Sequence, residues 1–387
     1  MKKNMYTKVV GAQLGGTRSG LMVLAAVLTL APVTVLADFG GFGGFGGVFG
    51  GFGGFGEKTY VQTNLVSNLP GVAQLQDTNL VNAWGVSFSS TSPFWISDNG
   101  TALATLYAVT NDSGGAPHVV KEGLQVTIGG DGFPTGQIFN NTGAFHNDEF
   151  IFAGEDGYIT GWRGALGTSA EILTYRTNGV YKGITLDTNS GASELVLANF
   201  REGTVDVYDT NLNLTQLSDP WTPKGYAPFN VLDIGGLVIV TYAKQDAAKH
   251  DDVAGPGHGL IDILDLATGK FYRFATGAAA GGFLWDINSP WGIAIEPKGF
   301  GDRGDRLLVG NFGSGTIMSF DVFGFYDGLL EDPHERPIVI DGLWALAFGN
   351  GGKAGVTNEL YFTAGPDGEN NGLFGSLVPA PKPTGKY

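Results

Sequence analysis

The chain has 387 residues, no cysteine, and 37 acidic against 22 basic side chains, a formal charge of −15. Disulfides, iron–sulfur clusters and thiol catalysis are excluded outright. So acidic a chain has no electrostatic attraction for nucleic acid or anionic lipid, and its charge favours solubility and cation binding instead.

Residues 1–37 begin with Lys2, Lys3, Lys8 and Arg18, continue with an apolar core over 21–30, and end at Val35, Leu36 and Ala37. A basic start, a short apolar core and a small-residue end form the pattern of a secretory signal. The core is too short to span a bilayer comfortably, although an uncleaved anchor is the competing reading. Cleavage removes four cations and no acid, moving the formal charge to −19. The expected location is secreted or periplasmic, with no stable membrane span left. Residues 38–58 carry a Phe-Gly-Gly repeat whose glycines are costly to order and whose phenylalanines cannot build a core alone. It reads as a spacer, or as a sticky segment that meets a surface or another copy.

Residues 60–69, YVQTNLVSNL, alternate as a strand but precede the first full repeat. Six copies of one unit follow, about fifty residues apart, at 82–109, 134–162, 181–209, 228–265, 289–321 and 342–377. The plan is clearest in 289–321, where apolar runs at 291–295, 306–310 and 316–321 are punctuated by Gly, Asp and Asn. A fourth run at 336–340 reads as the outer strand of that unit. LVLANFREGTVDVYD in the third copy matches LLVGNFGSGTIMSFD in the fifth nearly position for position. Such short units cannot bury a face alone and must stack on one another. The pattern therefore predicts an all-β fold, a six-bladed β-propeller over residues 59–378 with a Pro-rich tail at 379–387. The last copy has only three strands, so the N-terminal strand is expected to complete it and close the ring.

Aligning AWGVSF, PTGQIF, YKGITL, PFNVLD, PWGIAI and LWALAF places Trp84, Thr135, Lys182, Phe229, Trp291 and Trp344 at one position. These side chains ring the channel mouth; they either pack blade on blade or, as Trp84, Lys182, Phe229, Trp291 and Trp344, face a ligand. Asp98, Asn199 and Asn311 sit at equivalent turns, near Gly154, Tyr242 and Ala364 in the other copies. They read as turn-capping groups, or as oxygens converging on a divalent cation.

The fourth copy carries a long insertion, residues 243–259, with His250, Asp251, Asp252 and His258. A loop of that length inside a compact repeat points to function or to a lid. Carboxylates beside imidazole suit Ca²⁺ or Zn²⁺, but the spacing matches no defined metal motif. Metal candidates are therefore Asp98, Asn199, Asn311, His250, Asp251 and Asp252, with Glu155, Asp156 and Asp367 as nearby acids. There is no nucleophile elbow, P-loop or dinucleotide fingerprint, and Arg303-Gly304-Asp305 reads as a charged turn.

The stretches YAKQDAAKHDDVAGPGHG, NLVSNLPGVAQLQDTNLVNAWGVS, SPWGIAIEP and LLVGNFGSGTI resemble an exported bacterial family whose members often carry PEP-CTERM sorting tails. The resemblance covers residues 60–378. It implies a six-bladed propeller similar to NHL-repeat and lactonase-like proteins, without an established reaction. The sorting tail itself is missing after Pro379. Two functions are expected from different classes. One is a secreted binding or scaffold module for an unknown ligand or cell-surface partner at the channel face. The other is a metal-dependent hydrolase of lactonase type.

Overall fold

The computed structural model describes residues 59–189, 191–277, 286–301 and 304–380. The signal, the Phe-Gly-Gly segment, Arg303 and the last seven residues lie outside that range.

Short apolar runs, broken by Gly and Asx turns, give the described residues short strands, nearly all antiparallel; Phe94–Asp98, Phe150–Gly154, Leu307–Asn311 and Leu360–Ala364 are buried on both faces. They form six sheets, five of four strands and one of five. Blade one starts with the inner strand Ala83–Ser87, blade two with Pro134–Phe139 and blade three with Tyr181–Asp187. Blades four, five and six start with Tyr226–Asp233, Pro290–Ile295 and Leu343–Phe348. Within each blade the next strand pairs back on the inner one. Between blades, apolar faces interlock: Val196, Val205, Val238 and Val240 join blades three and four, and Trp95, Phe150 and Trp162 join one and two.

The sixth blade is a composite. Tyr60–Ser67 pairs antiparallel with Leu373–Pro379, from Tyr60 opposite Pro379 to Ser67 opposite Leu373, with a register shift between Asn64 and Val66. Leu65 and Val66 are fully buried there, which contributes about 3–6 kcal/mol. Tyr60 stacks on Phe300 of blade five with ring centroids 4.5 Å apart. The N-terminal strand thus completes the last blade.

One strand differs from expectation. The outer strand of blade five is Tyr326–Leu329, not residues 336–340. Pro337 lacks the N–H that a ladder needs. Ile338 and Ile340 instead tuck into the core between blades five and six, with Ile340 N donating to Gly315 O at 2.9 Å.

Deleting residues 60–67 should leave blade six with an open edge and cost several kilocalories per mole. Calorimetry should show a melting temperature lower by about 10 °C or more, or no cooperative transition at all. A wild-type melting curve would show that closure does not hold the ring together.

Candidate functional site: the upper channel mouth

Strand register sets which residues share a face. Ala83 lies opposite Asp98, Pro134 opposite Gly154 and Tyr181 opposite Asn199. Pro228 pairs with Tyr242, Pro290 with Asn311 and Leu343 with Ala364. All six inner strands therefore start at one end of the channel, here the upper mouth.

One residue further in, the six aligned side chains fill the channel. Trp84 and Trp344 stack with centroids 3.6 Å apart, and Trp291 meets both edge-on at 6.2 and 5.9 Å. Phe312 stacks on the other side of Trp344 at 3.9 Å, and Phe229 packs against Trp344 and Phe200. Trp84, Phe229, Trp291 and Trp344 are all buried. Thr135 Oγ1 donates to Tyr181 O at 2.7 Å, tying blade two to blade three. Together these residues make an aromatic plug.

The sixth member is a charge. Lys182 is 2% exposed, and its Nζ lies 5.2 Å from the Trp84 ring centroid and 5.9 Å from that of Phe200, a cation–π setting. A buried ammonium must be paired. Its Nζ donates to Glu155 Oε1 and, at 3.3 Å, to Asp251 Oδ1. Burial alone would favour the neutral amine, but the fields of Glu155 and then Asp251 overcome it and hold the pKa above the ordinary lysine value.

Asp251 reaches the mouth from the blade-four insertion, between strands Leu237–Lys244 and Gly259–Asp265. Asp246 Oδ1 accepts from His250 N at 2.8 Å, and Asn288 Oδ1 accepts from Gly255 N at 2.7 Å. These bonds shape the loop, and His258 is used the same way, its Nδ1 2.7 Å from Val253 O. His250 Nδ1 lies 2.8 Å from Asp251 Oδ1. Ligand atoms of Glu155, His250 and Asp251 all fall within 4.8 Å of one another.

The turn residues are engaged locally. Asn199 Oδ1 accepts from Val180 N and Glu202 N, and its amide donates to Asp206 and Glu202. Asn311 Oδ1 accepts from Asn288 N at 3.0 Å. Asp98 Oδ2 accepts from Thr105 Oγ1 at 2.7 Å, while its Oδ1 has no partner among the described residues. Burial drives the Asp98 carboxyl well above the usual carboxylate range. Of the candidate metal residues, His250, Asp251 and Asp252 are the ones the loop carries. Asp252 is largely buried beside Ser289, whose side chain favours its charged form.

Glu369, Asn82 and Asn99 escape the sequence pattern. Asn82 Nδ2 donates to Glu369 Oε2 at 2.7 Å, its Oδ1 accepts from Trp344 Nε1 at 2.9 Å, and Asn99 Nδ2 donates to Glu155 Oε2 at 3.0 Å. Asp367, the expected acid of blade six, is exposed and turns outward in favour of Glu369, two residues on. Asp156 caps its own turn at Tyr158 N and Asp131 N. Burial raises the pKa of Asp252 and of Glu369, and the Asn82 bond only partly offsets it at Glu369. Lys182 and His250 together depress Asp251 against its own desolvation. The mouth is a set of carboxylates, Glu155, Asp251, Asp252 and Glu369, around one buried ammonium.

No family model matches the chain. It is 29% identical over 335 residues to an uncharacterised protein of Acanthamoeba polyphaga mimivirus, covering 81% of this chain and 78% of that one. A second mimivirus protein, also uncharacterised, is 29% identical over 342 residues, covering 83% and 86%. Among solved structures, an auxiliary nutrient binding protein from Bacteroides ovatus superposes with a TM-score of 0.51 at 12% identity, over 84% of this chain and 78% of that one. An α-L-arabinofuranosidase from Fusarium graminearum, in complex with an iminosugar inhibitor, gives 0.51 at 11% identity, over 83% and 98%. At these identities the likeness is one of fold.

Replacing Lys182 by Met should strand Glu155 without its counter-charge and cost about 3–5 kcal/mol. Urea denaturation at neutral pH reads this directly. A variant as stable as wild type at pH 7 would mean the ammonium is not needed there.

Proposed function

We propose that the chain is an exported binding module that takes a ligand bearing a positive charge at the upper channel mouth. The observation that carries this reading is Lys182 Nζ held between Glu155 and Asp251, with the carboxylates of Asp252 and Glu369 nearby. The position already holds one cation, and the surrounding carboxylates outnumber it. A guanidinium or ammonium group offers hydrogen-bond donors that suit them. Propellers host both binders and enzymes, so the fold does not choose between them. The motif resemblance to exported bacterial propellers supports placing the chain in that family, and residues 1–37 support secretion into the periplasm or medium.

A second reading is a site for Ca²⁺ or Zn²⁺, and with it a lactonase-like hydrolase. What favours it is the convergence of Glu155, His250 and Asp251 within 4.8 Å. Two of these three already serve Lys182, which leaves an ion fewer free ligands than a hydrolytic site uses.

Calorimetric titration separates the two readings. Agmatine should bind, and Asp251→Asn with Asp252→Asn should weaken it at least about tenfold. If Ca²⁺ or Zn²⁺ binds instead, a hundredfold excess over the dissociation constant should stabilise the fold by roughly 2.7 kcal/mol. Loss of that effect in the same double variant would favour the metal reading. No response to either class would remove the mouth as a cation site.

Export is tested by intact mass of the protein recovered outside the cytoplasm. It should begin at Asp38, and a mass that retains Met1 would indicate an uncleaved anchor.

A further inference from the structure

Below the plug the inner strands close to a throat and then part again. Gly85, Gly136, Gly183 and Gly292 follow the plug positions directly. A Cβ at these sites would lie 2.4 Å from Thr135 O, 2.8 Å from Ile184 N, 2.0 Å from Asn230 Oδ1 and 2.7 Å from Trp344 O. Only glycine lets neighbouring strands approach so closely. Past this throat a cavity of about 540 Å³ opens at the lower end of the channel, opposite the charged mouth.

The cavity wall has two unlike halves. On the side of blades one to three Ser87, Gln137 and Thr185 lie among Val86, Ile138 and Leu186, with Asn141 and Thr188 beyond them. On the side of blades four to six, Asn230 apart, the wall is apolar, with Leu232, Ile293 and Ala347. Ile184, Val231, Ala294 and Leu346 border the cavity too and also pack into the cores that join blade to blade. No lining residue carries a charge. The polar half is fixed by bonds across blades. Ser87 Oγ donates to Gln137 Oε1 at 3.0 Å, Gln137 Nε2 donates to Gly85 O at 2.9 Å, and Thr185 Oγ1 accepts from Asp233 N at 3.0 Å.

We propose that this lower cavity is a second ligand site, for an uncharged amphiphilic small molecule with one apolar face and one hydrogen-bonding edge. The volume falls in the range of roughly 300–1,000 Å³ that small-molecule pockets occupy. Protein interiors are close-packed, and an apolar space this large costs stability unless something uses it. Water is a poor tenant for the Leu232, Ile293 and Ala347 half. The aromatic plug closes the upper end, so the cavity is a blind well that suits a small molecule rather than a peptide strand. The absence of charge on its wall excludes ionic recognition and separates it from the carboxylate mouth above. Trp291 lines it as well, giving an optical reporter.

The test uses N-phenyl-1-naphthylamine, a neutral dye that brightens in apolar surroundings. Titration of the mature protein should give saturable one-to-one binding, with quenching of tryptophan emission and no change in molecular mass. Ala347 is half-buried on the wall, and Ala347→Trp should fill the well and weaken dye binding at least about tenfold. Ala347→Leu should give a smaller loss and covers the case in which the Trp variant folds poorly. The proposal is overturned if the dye does not bind up to its solubility limit. It is equally overturned if both Ala347 variants melt as wild type and still bind the dye normally, or if dye binding appears only with a doubling of mass.

Discussion

Closure of the ring is the constraint on which the rest depends. The channel has no wall of its own: its plug, its charged mouth and its lower well are assembled from one or two side chains per blade. Trp84 of blade one can stack on Trp344 of blade six only because Tyr60–Ser67 seals blade six and brings the two ends of the chain together. The seal is non-covalent in a chain without cysteine. It rests on a backbone ladder and on Leu65, Val66 and Tyr60 set into the core, so its strength is that of ordinary apolar burial and hydrogen bonding. Opening it exposes two sheet edges as well as the aromatic centre.

Within the closed ring, the electrostatics of the mouth follow from one substitution in the aligned positions. Three are Trp, one is Phe, one is Thr, and one is Lys182. An ammonium placed among aromatic rings is stable only if carboxylates reach it, and neither of its two partners belongs to its own blade. Glu155 comes from the neighbouring turn in blade two, Asp251 from the insertion in blade four. The long loop thus has a physical reason to be where it is, since it supplies the second counter-charge. The same arrangement places a covalently attached cation at the channel mouth without emptying the site of negative charge.

The architecture was legible because it repeats. Six copies of a short-strand unit fix blade number, inner-strand alignment and the need for closure, and each copy corroborates the others. The exception, residues 336–340, shows the limit of pattern: PIVI alternates as a strand does, yet Pro337 and the demand for a core between blades five and six turn it into a buried connection. The site was half legible. Lys182 and the HDD triplet stand out as charged departures from a repeat. Glu369 and Asn82 do not, because nothing in a turn sequence says which of two neighbouring acids points inward. Asn199 and Asn311 look like converging ligands in the alignment, whereas each carbonyl oxygen accepts from a backbone N–H just ahead of the inner strand of its own blade, Val180 N and Asn288 N.

The plug divides the channel into two chemically opposite halves, and Trp291 touches both. Its indole Nε1 donates to Lys182 O at 2.9 Å on the strand that carries the buried ammonium, its backbone O accepts from Asn230 Nδ2 at 2.7 Å, and it lines the lower well. A small movement of this side chain therefore cannot be confined to one half. Coupling between two sites requires an element whose position both can bias. Trp291, bonded to the lysine strand above and lining the well below, is in contact with both. The stacked pair Trp84 and Trp344, packed edge-on against Trp291, has little free volume into which to relax, so any such shift would pass through the plug as a whole rather than be absorbed locally.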